Sequence, residues 1–394
     1  MEQNDVVIVA AKRTPVGNFM GSLGSLSAPE LGAVAFKGTV EASTLNGGDI
    51  DEVIGGCVLQ AGLGQAPIRQ AAIKAGIPNH VGAFTLNKMC GSGLKAIMMG
   101  HDAIKAGSAN IILAGGMESM SNAPYLLLKA RGGYRLGHGE LKDSMFYDGL
   151  EDAYDKGRLM GVFAEQTASH FKFTRLQQDE FAEMSLKRAV AACESNLFVE
   201  EIIPVTYADK KTEVTVSRDE GPDIAKLPKI SQLKPAFSPE GTVTAANSSS
   251  ISDGAAAVML MSYDSAQKRG VKPIARIVAH ATHAQAPQWF TTAPVEAISK
   301  VLTKAQWSKQ DVDLFEINEA FAVVAMAAIQ QLELDITKVN VNGGACALGH
   351  PIGASGARLI VTLIHALKHQ NKKRGVAALC IGGGEAVAMA IELV

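Results

Sequence analysis

The chain has 394 residues, 39 of them glycine, and draws 47% of them from the hydrophobic set, which is length enough for two or three α/β domains with cores of their own. Its 37 basic and 39 acidic side chains nearly cancel, so nothing in the balance calls for nucleic acid or an anionic membrane surface, and a small ligand is the better expectation. The five cysteines (Cys57, Cys90, Cys193, Cys346, Cys380) are widely spaced and include no C-x-x-C pair, which argues against disulfides and against a structural zinc site.

The opening "MEQNDVVIVAAKRTP" carries acidic residues ahead of a short apolar run, unlike a signal or transit peptide, and no run approaches the roughly 18 apolar residues of a membrane span. A cytoplasmic protein is expected. Residues 5–11 read as a buried strand, and a Gly/Ser/Pro loop then leads into a helix from Leu31 to about Ala42. "DEVIGGCVLQ" reads as a strand, residues 65–76 as a helix, "AFTLN" as a strand, residues 91–106 as a helix, and "ANIILAGGMESM" as a strand ending in glycines. This alternation predicts a largely parallel, buried sheet.

Residues 119–250 differ in texture, with more charge, broken periodicity and loop clusters such as "RGGYRLGHGELKD", although "QQDEFAEMSLKRAVAACES" is a clear helix. They read as an insertion of the kind that covers a ligand site, and the interrupted half resumes at "DGAAAVMLMS". From residue 273 the early order returns: "PIARIVAHAT" as strand, "APVEAISKVLTKAQW" as helix, "DVDLFEIN" as strand. The ending also repeats, "GSGLKAIMMGHDAIKAGSANIILAGGME" being echoed by "GASGARLIVTLIHALKHQNKKRGVAALCIGGGEA". The division is therefore a first half of residues 1–118 plus 251–272, a loop domain of residues 119–250, and a second half of residues 273–394.

Four places can carry chemistry. Cys90, in "NKMCGSGLKAIMMG", sits where a loop gives way to a helix; the helix terminus would lower its thiol pKa toward neutrality and make a nucleophile, while the bland alternative is an inert buried cysteine. His350, in "NVNGGACALGHPIGASGAR", is a loop histidine able to act as general base or oxyanion donor, or else a turn residue making a backbone bond. Cys380, before the triplet Gly382-Gly383-Gly384, takes the place that Gly115 holds in the first half, and its thiol can serve as a base. Asn318, in "FEINEAFA", lies at a strand end, where it can be a helix N-cap, a functional amide, or both. Together these groups suit a reaction with a covalent acyl carrier and a separate base.

In these blocks, and in "VVIVAAKRTPVG", "GQAPIRQAA", "AGGMESMSNAPY" and "GTVTAANSSSISDGAAAVMLM", the chain resembles the thiolase family over essentially its whole length, specifically its acetyl-CoA acetyltransferase group. The resemblance implies a duplicated α/β/α/β/α five-layered sandwich with an inserted loop domain. It implies that Cys90 accepts the acyl group, that Cys380 is the acid/base, that His350 activates Cys90 and, with a water on Asn318, holds the enolate oxygen, and that the N–H groups of Cys90 and Gly382 form a second oxyanion hole. The implied reaction condenses two acetyl-CoA to acetoacetyl-CoA and CoA, reversibly and without metal or other cofactor, CoA being substrate and product. Broader 3-ketoacyl-CoA cleavage is the alternative. Ser249, Ala245, Leu150, Phe237 and Met160 would line the pantetheine channel, and a homo-oligomer is implied, a dimer of dimers. Lys210, Lys211 and Lys234 are candidates for the nucleotide phosphates or simple surface charge. Leu159, where acetoacetyl-CoA thiolases usually carry histidine, departs from the pattern, as do Ser250, Glu385 and Phe290, and acyl-chain length is the property that Leu159, Ser250 and Phe290 touch.

Overall fold

The computed structural model describes residues 1–210 and 212–394. The first apolar run becomes strand β1 (Val6–Arg13). Helix α1 (Ala28–Ser43) begins earlier than its apolar pattern predicts, because Glu30 accepts the backbone N–H and hydroxyl of Ser27 at 2.8 and 2.6 Å, and Pro29 occupies the first turn. There follow β2 (Glu52–Gly56), α2 (Pro67–Lys74), β3 (Gly82–Leu86), α3 (Ser92–Lys105) and β4 (Ile111–Ser119), in the order read from the sequence. The intervening stretch holds α4 (Met160–Phe171), α5 (Arg175–Glu194) and two short hairpins, Tyr125–Leu126 with Lys142–Asp143 and Val205–Asp209 with Thr212–Val216. Strands β5 (Ser252–Ser262) and β6 (Ala275–Ala284) come next, then α6 (Ala293–Ala305), β7 (Leu314–Ile317), α7 (Ala322–Leu332), α8 (Ser355–His369), β8 (Arg374–Ile381) and β9 (Glu385–Leu393).

The long strands form one sheet in the order β7-β8-β9-β6-β1-β5-β4-β2-β3. It is mixed rather than largely parallel: β2 with β3, β2 with β4, and β7 with β8 run parallel, and the remaining pairs are antiparallel. The expectation failed because two strands enter without a crossover helix. Strand β5 returns from the insertion, and β8 turns directly into β9 through Gly382-Gly383-Gly384, a connection short enough to join only antiparallel neighbours. Gly383 and Gly384 take φ of +95° and +89°, which a side chain would resist.

The duplication is visible in the ladders. Val7 pairs with Arg276 at the middle, and from there β1, β5, β4 and β2 run outward on one side as β6, β9, β8 and β7 do on the other. Even the irregularities match, with a slip between Ile8 and Ala10 in β1 and another between Ile277 and Ala279 in β6. The registers correct one detail of the repeat: Gly115 faces Gly55 and Ala257, and its counterpart Ala378 faces Ile317 and Ala388, so Cys380 stands two residues beyond the place that Gly115 holds.

Helix α8 is buried at every position from Ser355 to Leu367, the mark of a helix enclosed on all sides. It packs on α3 between the two halves of the sheet, while α1 and α2 cover the outer face of the first half and α6 and α7 that of the second. Five layers result. The insertion is keyed to this frame by Arg13, whose buried guanidinium group meets Glu201 at 2.5 Å and Asp219 at 2.7 and 2.9 Å, while Glu201 also accepts the hydroxyl of Thr362 at 3.1 Å. Among the described residues no helix is long and apolar enough to cross a membrane.

Candidate active site

Cys90 closes a tight turn. Asn87 Oδ1 accepts the N–H of Met89 at 2.9 Å, Met89 is held at φ +47°, and Ser92 Oγ accepts the N–H of Lys88 at 2.8 Å while donating to the carbonyl of Met89 at 2.7 Å. A left-handed methionine is an uncommon conformation, and here it turns Cys90 toward the end of β8. Gly91 lets the two elements meet: a Cβ there would lie 2.4 Å from Cδ1 of Ile381. The thiol of Cys90 thereby faces the N–H of Gly382, and Cys380 lies close enough that negative charge on Cys90 pushes its pKa upward. The Lys88 ammonium pairs with Glu385, tying the turn that carries Cys90 to the one that follows Cys380.

The thiol is not poised as the helix terminus suggested. Burial pushes the pKa of Cys90 up to about 11, outweighing the N–H groups of Gly382 and of Cys90 itself. Burial raises that of Cys380 as well. Both groups are thiols at neutral pH.

His350 is buried, and burial lowers its pKa to about 3, so the imidazole is neutral. Its Nδ1 stands 2.5 Å from Ser355 Oγ, which lies 2.9 Å from the carbonyl oxygen of Pro351. When the hydroxyl donates to Pro351, Nδ1 must carry the ring proton and Nε2 is a bare lone pair; when it turns to Nδ1, Nε2 carries the proton. Nε2 itself is buried with no protein partner. The backbone N–H of His350 does bond Ser250, at 3.0 Å, but the ring is held by Ser355.

Asn318 continues the β7 ladder by donating its N–H to Ala378 at 2.9 Å, and its side chain is not a cap, since α7 begins at Ala322 behind Phe321. Both Oδ1 and Nδ2 are buried without a partner. A buried amide left open on both ends is costly unless something polar is meant to meet it. Its neighbour Glu319 fixes the surrounding loops, accepting from Ser185 Oγ at 2.7 Å, Asn340 Nδ2 at 2.8 Å and the N–H of Cys346 at 3.1 Å.

A cavity of about 500 Å³ opens beside His350. Its lining includes all five side chains expected of the pantetheine channel, Leu150, Met160, Phe237, Ala245 and Ser249, and also His350. Leu159 and Ser250 line it too. Cys90, Cys380, Asn318 and Gly382 do not; a smaller hollow of about 330 Å³ reaches Gly382 and Met89 and shares Met160 with the cavity. Phe290 is buried in an apolar cluster with Cys380 and Phe163 and leaves the cavity wall to others. Lys210 and Lys234 are exposed and line neither hollow, and Lys211 lies outside the described residues.

Two groups escaped the reading of the sequence. Ser355 is one, hidden in the small-residue run "GASGAR". Glu118 is the other: fully buried at the end of β4, it accepts the N–H groups of Val58, Leu59 and Gly353 at 3.0, 3.1 and 2.9 Å, and burial raises its pKa to about 7. A carboxylate closing an otherwise apolar strand was the available signal, and its task is to anchor the loop that follows His350.

Residues 6–264 match the family model described as thiolase, N-terminal domain, and residues 271–393 the one described as thiolase, C-terminal domain. The chain is 51% identical to an acetyl-CoA acetyltransferase of Cupriavidus necator over 390 residues, which cover 98% of this chain and 99% of that protein. It is 50% identical to an acetyl-CoA acetyltransferase of Pseudomonas aeruginosa, with 98% and 99% covered. Its fold matches the crystal structure of the Bacillus anthracis acetyl-CoA acetyltransferase with a TM-score of 0.97 at 41% identity, covering 99% of both chains.

Proposed function

The chain belongs to the thiolase family, and we propose from this premise that it is an acetyl-CoA C-acetyltransferase, condensing two acetyl-CoA to acetoacetyl-CoA and CoA and running the reverse thiolysis. The observation that carries the reading is the meeting of Cys90 with Cys380 and the N–H of Gly382 at the end of β8, with the open Nε2 of His350 on the wall of a pantetheine-sized cavity.

The chemistry follows from the protonation states. With both thiols neutral, Cys90 needs a base at the moment of attack, and the bare Nε2 of His350 takes its proton as Sγ bonds the acetyl carbon. The N–H groups of Cys90 and Gly382 hold the carbonyl oxygen while the bond to CoA sulfur breaks, and Cys380 gives its thiol proton to that sulfur, becoming a thiolate while His350 keeps the proton of Cys90 on Nε2. When the second acetyl-CoA enters, the Cys380 thiolate left by that proton transfer removes a methyl proton. The enolate oxygen is then met by the Nε2–H of His350, which carries the proton taken from Cys90, and by a water on the open amide of Asn318. The enolate carbon attacks the acetyl-cysteine and releases Sγ of Cys90, to which His350 returns its proton. Two thiols are required because one is esterified while the other moves the proton. Burial serves the second step, since a fully ionised Cys380 could not return its proton in the thiolysis direction.

No step calls for a metal or a redox cofactor, and CoA is substrate and product. Leu150, Met160, Phe237, Ala245 and Ser249 are the proposed pantetheine contacts. Free cysteines suit a reducing compartment, so a cytoplasmic site of action belongs to this reading. So does a homo-oligomer, a dimer of dimers: β3 ends the sheet with an outer edge unpartnered among the described residues and with Phe84 and Leu86 half-buried, and a monomeric mass in solution would count against it. Leu159 on the cavity wall favours the second reading, a thiolase of broader chain length. The test is cleavage of 3-ketoacyl-CoAs of four carbons and longer by the wild type and by Cys90→Ala. A four-carbon preference lost in the variant is expected; equal activity in both would remove Cys90 as nucleophile, and a clear long-chain preference would replace the proposed substrate.

A further inference from the structure

His101 and Asp102, near the carboxyl end of α3, face His280 of β6 in the other half of the duplication. Asp102 Oδ1 lies 3.0 Å from His101 Nδ1 and 2.8 Å from His280 Nε2, and the two ring nitrogens are 3.2 Å apart. Protons alone serve this triangle poorly. If one ring donates to the other, that donor's hydrogen is lost to Asp102; if both donate to the single oxygen, the two N–H groups are crowded side by side. Three lone pairs converging on one point are instead what a metal ion takes.

We propose that His101, Asp102 and His280 bind a divalent transition-metal ion of the zinc class, remote from the acyl-transfer chemistry. The distances support it. Around zinc, with bonds of about 2.0–2.2 Å, neighbouring donors of a tetrahedron stand roughly 3.3 Å apart, so an opening of a few tenths of an ångström admits the ion. Two imidazoles and one carboxylate select zinc, cobalt, nickel or copper over magnesium and calcium, which prefer oxygen alone. Asp102 is about half exposed, which leaves the fourth position to water. The flanking cations are engaged elsewhere, Lys105 by Asp5 at 3.6 Å and Lys304 by the carbonyl of His280 at 3.0 Å. Along α3 the site lies about 16 Å from Cys90, so its effect is to clamp the far end of that helix to the second half of the molecule.

The probe is cobalt(II) added to chelator-treated full-length protein, followed by visible absorption and by equilibrium dialysis with metal analysis, and repeated with zinc. One equivalent is expected, with d–d bands of nitrogen and oxygen ligation and no thiolate charge-transfer band. Binding should fall at least tenfold in His101→Gln and in His280→Gln and persist in Cys90→Ala, with several degrees added to the unfolding midpoint of the wild type and of Cys90→Ala but not of the histidine variants. Both histidine variants should cleave acetoacetyl-CoA at the wild-type rate without metal, which certifies their fold. Undiminished binding in the histidine variants, a thiolate band that vanishes in Cys90→Ala, or no binding by the wild type would each overturn the site.

Discussion

Ser355 Oγ stands 2.5 Å from His350 Nδ1 with a second acceptor, the carbonyl of Pro351, 2.9 Å away, so one hydroxyl supports either neutral tautomer of the ring. The proposed cycle uses the form with Nδ1–H on Ser355, which keeps Nε2 bare to accept the proton of Cys90 and holds the ring while that proton meets the enolate. Ser355→Ala removes that support. We expect kcat to fall by about a hundredfold while the KM for CoA changes little, since Ser355 does not line the cavity. Steady-state kinetics on acetoacetyl-CoA and CoA checks this, and a variant altered mainly in KM would argue for a role in packing alone.

The charge state of Cys90 is the next consequence. A helix terminus lowers a thiol pKa, yet burial places this one at about 11, while the His350 imidazole, at about 3, is neutral. Free enzyme at pH 7 therefore rests as thiol and imidazole rather than thiolate and imidazolium. The ultraviolet thiolate absorbance of wild type minus Cys90→Ala should show no step near pH 7 and should climb above about pH 9, because ionisation of a group with a raised pKa begins only there. A titration complete by pH 8 would restore the ion pair and remove the need for base assistance.

Much of this site was legible from residue order. Apolar runs and glycine punctuation marked strands and helices, and Cys90, His350, Cys380 and Asn318 stood out as reactive types in loops or at strand ends. What could not be read was whatever depends on distant segments meeting. The antiparallel entry of β5 follows from an insertion of over a hundred residues returning between β1 and β4, and local periodicity carries no record of it. The pKa of Cys90 depends on how deeply β8 and α3 bury it, which the helix pattern alone does not reveal. Ser355 and Glu118 looked like ordinary members of a small-residue run and a strand end; their roles exist only because Pro351 and Gly353 fold back against them.

Arg13 sets the cost of detaching the insertion. Its guanidinium is about 1% exposed and is shared by Glu201 and Asp219, and Asp219 also accepts the N–H of Val16 at 2.8 Å. Arg13→Ala leaves two buried carboxylates facing each other without a counter-charge, which destabilises the fold by about 3–5 kcal/mol. Urea unfolding at pH 7 measures the loss. A small loss would show that the insertion is held by its apolar contacts instead.

Leu159 bears on which acyl chains are accepted. It precedes α4 and shares the cavity wall with Met160 and Phe237, and Gly161 lies against Phe237, a Cβ there falling 2.3 Å from the ring. The wall is therefore tight at Gly161 and can give way at Leu159. Leu159→Ala removes the bulk of an isobutyl group from an apolar surface, and one or two added methylenes of substrate are worth about 1–3 kcal/mol in such a pocket. The ratio of kcat/KM for a six-carbon 3-ketoacyl-CoA to that for acetoacetyl-CoA should rise about tenfold or more in Leu159→Ala. Leu159→His, which puts an imidazole on the same wall, should move the ratio the other way, because a polar group gains nothing from a longer alkyl chain and loses solvation beside it. If both substitutions leave the ratio unchanged, chain length is set elsewhere, and the apolar cluster in which Phe290 packs with Cys380 becomes the next place to look.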